Sequence, residues 1–258
     1  MTANRLWPLS GAFMPVDLGF CYLGGSGPVT LPLPAFLIEH DHGLVLFDTG
    51  LSPEVWEKGP QAVYGPVGEM FPFECPPDHR LDIQISKAGF HVRDITHVVV
   101  SHGHVDHTGG LYLFPGAQFY MSEEEMAYAF WPHPFFQGMY GASDLERVRT
   151  ARWNLLSADL DLFGDGGIQI LRTPGHSPGH LSMLVTLESR SFLLTGDAAH
   201  LRVNLDSAVP CPVDLDTISA HRSLQRIAQV AASRGADIWV MHDPGDWDKY
   251  GTVPQPYR

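Results

Sequence analysis

The chain has 258 residues, 44% of them hydrophobic and 17% charged, a balance that predicts a soluble globular protein with a sizeable core. Its formal net charge of −13, with only 16 Lys and Arg, argues against a nucleic-acid partner, because phosphate backbones call for clustered cations. The N-terminus lacks the pattern of a secretory signal, and no stretch approaches the ~18 apolar residues that span a bilayer. Cys21, Cys75 and Cys211 are widely spaced and odd in number, as reduced thiols are. The expectation is a cytoplasmic protein with no membrane partner.

No repeat or linker divides the chain, so one domain over residues 1–258 is predicted. Residues 22–29, YLGGSGPV, are followed by no helix signal and read as a mobile rim loop. The runs 35–40 and 43–50 predict a hairpin, and strands follow at 96–102, 116–122, 168–176, 181–187, 191–200 and 237–243. Ser122 with Glu125 forms a capping-box pattern that opens a helix through EEEMAYAF. Asp144 is placed to cap a second helix with Leu145, Val148 and Leu155 on one face. Asp214 or Asp216 starts a third, with Leu224, Ile227, Ala228 and Ala231 as its stripe and Gly235 at its end. Sheets covered by helices in layers follow from this order.

Predicted strands repeatedly run into a potential ligand: Asp48, His102, His176, Asp197 and His242. Strand ends that share one sheet edge bring such side chains together, where rigid scaffolds mount chemistry. The segment 101–110, SHGHVDHTGG, is the densest part of the pattern. In extended backbone alternate side chains point the same way, so His102 and His104 can grip one ion, and Gly103 spares that ion a crowding side chain. Asp106 and His107 follow where the chain should turn into a helix and can face a second ion. With His176, Asp197 and His242 the set is five histidines and two carboxylates, which suits two Zn2+ ions bridged by one carboxylate, with Mn, Fe or Co as substitutes. The absence of Cys and Met from the set argues against Cu(I) and against a closed structural zinc site. The imidazoles argue against a pure Mg or Ca site.

SHGHVDH matches the H-x-H-x-D-H signature of the metallo-β-lactamase fold superfamily. TPGHSPGH, TGDAAH and MHD fall in the order of its later ligand motifs, and LFDTG is similar to its early Asp-containing strand. The resemblance implies an α/β protein: an αβ/βα four-layer sandwich of two mixed β-sheets flanked by helices, with metals at one edge. It also implies that His102, His104 and His176 hold one ion and Asp106, His107 and His242 the other. Asp197 would bridge them, and Asp48 would orient the ligands from behind.

Within the superfamily, FLIEHDHGLVLFDTG, TPGHSPGHLSML and HDPGDW look most like N-acyl homoserine lactonases, the quorum-quenching enzymes, and like their relative 4-pyridoxolactonase. The resemblance implies attack of a hydroxide held by the two ions on a lactone carbonyl, with Asp106 carrying a proton to the leaving oxygen. A small-molecule lactone is the expected substrate; another small lactone, an ester or a phosphotriester would use the same site. Those lactonases place a Tyr three residues after the bridging Asp, where this chain has His200, whose imidazole N–H could polarise the carbonyl instead. Tyr64 lies in a loop where similar lactonases place aromatic substrate contacts. The aromatic stretch 127–140 reads as core packing, an apolar wall of the cleft, or the contact of a homodimer.

Overall fold

The structure, a computed structural model, describes residues 2–251 and 256–258. Among them thirteen strands form: β1 Arg5–Leu9, β2 Phe13–Asp17, β3 Pro28–Pro32, β4 Ala35–His40, β5 Gly43–Phe47, β6 His97–Val99, β7 Gln118–Ser122, β8 Arg152–Leu156, β9 Leu160–Asp161, β10 Ile168–Arg172, β11 Leu181–Thr186, β12 Ser191–Leu194 and β13 Ala236–Trp239. One sheet has the order β1-β4-β5-β6-β7-β8 and the second β13-β12-β11-β10-β9, while β2 and β3 form a separate ribbon. Both large sheets are mixed: β5 to β8 run parallel in the first, and β12 pairs parallel with β13 in the second.

Period-two alternation makes the layers. Phe36, Ile38, Val45 and Phe47 of the first sheet face Ile168, Ile170, Met183, Val185 and Phe192 of the second in a dry inter-sheet core. Their neighbours Leu37, Leu44 and Leu46 point the other way, onto Leu81, Ile85 and Leu145 of covering helices. On the far side, Ile227 and Ala231 of helix Thr217–Arg234 cover Leu171, Leu184 and Leu193. Helix, sheet, sheet, helix is the expected αβ/βα sandwich. Among the described residues no helix is long and apolar enough to cross a membrane.

Several expectations are corrected. Leu155 lies not on a helix but in β8, parallel to β7, where Trp153 packs against Phe119. The preceding helix is only Ala142–Arg147, and Asp144 sits inside it rather than capping it. Ala228 is exposed, so the buried stripe of the long helix runs through Ala220, Leu224, Ile227 and Ala231. Asp216, not Asp214, caps that helix, accepting from the amides of Ile218 and Ser219, and Gly235 closes it in the left-handed region. The glycine-rich segment is a hydrogen-bonded turn leading into β3. Asp17 accepts from the amides of Gly19 and Gly27, and Gly27 O accepts from Leu18 N. Strands β1, β2 and β3 carry prolines, which masked them in the sequence, but an edge strand and an isolated ribbon tolerate the lost donors.

Candidate metal centre

Strand direction brings the ligand-bearing loops together. Strands β5 and β6 are parallel; β10 and β12 both oppose β11 and therefore share a direction, as does β13. The loops after all five strands open on one edge of the sandwich. Asp48 follows β5, His102 to His107 follow β6, His176 follows β10, Asp197 lies in the turn after β12, and His242 follows β13.

Ligand atoms of His102, His104, His176 and Asp197 all lie within 4.8 Å of one another, and those of Asp106, His107 and His242 form a second group by the same measure. Asp197 joins the two groups. One of its oxygens is 2.8 Å from His242 Nε2 and 3.3 Å from His107 Nε2; the other is 3.5 Å from His176 Nε2 and 3.7 Å from His102 Nε2. His104 Nδ1 is only 2.9 Å from His102 Nε2 and 3.1 Å from His176 Nε2. Buried imidazole nitrogens thus crowd around the shared Asp197 carboxylate and one another, the arrangement of donors that converge on a cation. The donor set therefore fits nitrogen- and oxygen-loving metal ions.

The outward nitrogens are fixed. His107 Nδ1 donates to Asp48 Oδ2 at 2.9 Å, His176 Nδ1 to Asp214 Oδ1 at 3.0 Å, and His242 Nδ1 to the Pro32 carbonyl at 2.7 Å. Such bonds set each tautomer and aim the other nitrogen at the centre. Burial drives His102 and His104 well below the usual histidine range and His176 down to about 3, so all three are neutral and ready to ligate at pH 7. Burial also pulls on His107, but the carboxylates of Asp197, Asp106 and Asp48 outweigh it and hold the ring well above the usual range. Asp197 resists the upward pull of burial because His242, His107, His200 and His102 surround it.

Three supporting residues were not recognised in the sequence. Asp214 read as a helix cap but holds His176. Glu125 read as half of a capping box, yet Ser122 makes no side-chain cap bond, and the Glu125 carboxylate reaches into the ligand loops. His180, the second histidine of TPGHSPGH, accepts from the backbone N–H of Asp197 at 2.9 Å, and its other nitrogen meets Thr173 Oγ1. Burial lowers its pKa to about 3, so it stays a neutral acceptor. The doubled PGH in 174–180 was the only signal for it.

A cavity of about 280 Å³ opens on this cluster. His104, Asp106, His176, Asp197, His200 and His242 form its polar floor; Met14, Phe20, Val67, Phe71, Phe136 and Met139 are among its apolar walls. His200 Nε2 stands 3.2 Å from Asp197. Of the aromatic stretch, Phe135 and Phe136 line the cavity, Tyr140 is buried behind it and Trp131 is 88% exposed. Tyr64 is outside the lining: its hydroxyl accepts from Ser52 N at 2.7 Å and donates to the Val105 carbonyl, so it braces the wall rather than facing the cavity. Gly103 is required by Tyr140 and Ala129, since a Cβ there would lie 2.8 Å from the Tyr140 ring.

Fold and site together define a metallohydrolase scaffold, and the chain belongs to the metallo-beta-lactamase superfamily, whose family model matches residues 31–251. It is 34% identical over 239 residues to the N-acyl homoserine lactonase AttM of Azorhizobium caulinodans, covering 91% of this chain and 90% of that protein. It is 28% identical over 218 residues to the N-acyl homoserine lactonase AiiA of Bacillus thuringiensis subsp. kurstaki, covering 83% of this chain and 82% of that one. Among solved structures, an N-acyl homoserine lactone hydrolase with N-hexanoyl-L-homoserine at its catalytic metal centre superposes with a TM-score of 0.85 at 24% identity, over 100% of both chains.

Proposed function

We propose that this chain is a metal-dependent hydrolase that opens the lactone ring of N-acyl homoserine lactones. The observation that carries the reading is the apolar cavity ending directly on the seven-residue donor cluster, a shape suited to a compact polar head on an apolar tail. The lactonase relatives support the substrate. His102, His104 and His176 would hold one Zn2+ and Asp106, His107 and His242 the other, with Asp197 shared; Mn, Fe or Co could substitute. Such ions, when bound, would lower the pKa of a water at the site and polarise a carbonyl oxygen.

The remaining steps belong to the chain's own groups. Asp106 lines the cavity, and its side chain is 12% exposed where His107 beside it has no exposure, so it can take a proton from water and deliver it to the ring oxygen as the acyl C–O bond breaks. His200 lies in the same polar floor with its Nε2 against Asp197, and in this reading its imidazole would stand beside the carbonyl oxygen. Phe20, Phe71, Phe136 and Met139 seat the acyl chain and keep bulk water from the reacting carbonyl.

The test is mass spectrometry of a medium-chain acyl homoserine lactone incubated with zinc- or cobalt-loaded protein, with Asp106→Asn and metal-free protein as controls. The expected result is a gain of one water that reverses on acidification and requires both metal and Asp106. No turnover by protein carrying two ions per chain would overturn the substrate and direct attention to other lactones, esters and phosphotriesters.

A further inference from the structure

Glu125 contributes no atom to either ligand group and does not line the cavity. Its side chain is wholly buried, three residues into the helix that starts after Ser122. Oε1 accepts from the backbone N–H of Gly103, between His102 and His104, at 2.9 Å. Oε2 accepts from Ser177 Oγ at 2.6 Å and from Gly179 N at 3.0 Å, in the loop that begins with His176. One carboxylate thus fastens two loops, 72 residues apart from His104 to His176, that carry three of the imidazoles.

The packing around it shows the same purpose. A Cβ on Gly179 would fall 2.4 Å from the Glu125 backbone nitrogen, so only glycine lets the helix start sit directly on that loop. Gly103 allows the same close approach of Ala129, from the far end of the helix, at 3.0 Å. Taking a carboxylate out of water is costly, offset here by these three donors, by the Tyr140 hydroxyl and by the positive end of the helix. The side chain forgoes the capping box to do this, and Ser122 Oγ is left without a partner. All three of these donors lie in the ligand loops; a cap that served only the helix would have pointed back to Ser122.

We propose that Glu125 is a positioning residue that sets the spacing between the His102–His104 loop and the His176 loop, so that the three imidazoles are already arranged for one ion. This rests on the metal-dependent reading of the site, but not on its substrate. The test is zinc affinity by competition with a chromophoric chelator, together with the visible absorption of the cobalt-loaded full-length protein. Glu125→Gln keeps the volume and puts an NH2 where one acceptor oxygen was, so a donor faces a donor at one of the two loops. The expected result is a 10–100-fold weaker three-histidine site, with an altered cobalt band, in line with other residues that support metal ligands. Where that variant does not fold, Ser177→Ala removes one donor and keeps both backbone bonds. It should weaken the same site by a smaller factor and shift the band in the same direction. Wild-type affinity and a wild-type cobalt spectrum in folded Glu125→Gln, or in Ser177→Ala where only that variant folds, would overturn the proposal. Neither readout involves substrate, so a failure of lactone turnover in the parent protein would leave this result standing.

Discussion

Asp48 is one of two non-glycine residues with positive φ among the described residues, at 61°. A backbone so placed costs on the order of 1–3 kcal/mol and persists only when its surroundings over-determine it. Here both carboxylate oxygens are committed, one accepting from Ser101 N at 2.7 Å and the other from His107. Asp144 is a second residue with a local cost. Burial, only partly countered by Arg147 and Thr108, raises its pKa to about 7. Between the ordinary carboxylate range and pH 7 the folded protein therefore binds more protons at this position than the unfolded chain does, so this group's contribution to stability falls as pH rises through that window. Asp144→Asn should remove that decline, flattening the dependence of denaturation free energy on pH between about 4 and 7. An unchanged slope in urea titrations across that range would show that Asp144 ionises normally.

At the scale of elements, the helix Thr217–Arg234 has both ends defined by single residues. Asp216 Oδ1 accepts from two backbone amides, 3.0 and 3.1 Å away, and Gly235 takes the left-handed position at the other end. Asp216→Ala should remove the cap and lower the denaturation midpoint with an unchanged m-value. A wild-type midpoint would mean the tertiary contacts of Ala220, Leu224 and Ile227 hold the helix start without help. Asp214, two residues earlier, accepts from Cys211 N as well as His176, so this short acidic stretch both starts a helix and aims a ligand. The helix Glu123–Phe130 divides its duties in a comparable way: its first turn carries Glu123, Glu124 and Glu125, of which only Glu125 is buried.

For the molecule as a whole, the candidate ligands come from both sheets. His102, His104, Asp106 and His107, with Asp48 behind His107, follow strands of the first; His176, Asp197 and His242 follow strands of the second. Ions held across that seam would fasten the sheets at an edge where the inter-sheet core gives way to polar side chains. Binding to the folded state alone adds about 2.7 kcal/mol at a free ion concentration one hundred times Kd. Stripping the protein with a chelator should therefore lower its thermal midpoint, and zinc should restore it in a concentration-dependent way. A midpoint insensitive to both treatments would argue that the cluster holds no ion in the folded protein.

Much of this was legible along the chain, because alternation and histidine spacing are local properties. The hairpin at 35–47, the strands beginning near residues 97, 118, 168, 181, 191 and 236, and the capped long helix follow from patterns a few residues wide. The amino-acid sequence by itself also singled out seven candidate ligands, HGHVDH by its spacing and the rest by their place after strands, while their division between two ions came from the resemblance to the superfamily. What it could not convey was the direction of side chains whose partners lie far away in sequence. Glu125 and Asp214 looked like helix caps because local bonding rules favour that, and only the approach of loops 52 and 38 residues distant gave them other partners. Tyr64 looked like a substrate contact, until Ser52 and Val105 took up its hydroxyl. Proline hid β1 to β3, whose place at an edge or in a ribbon is a property of the assembled sheets. Local chemistry is written in residue order; mutual orientation is set by packing, and packing exists only once the chain has folded.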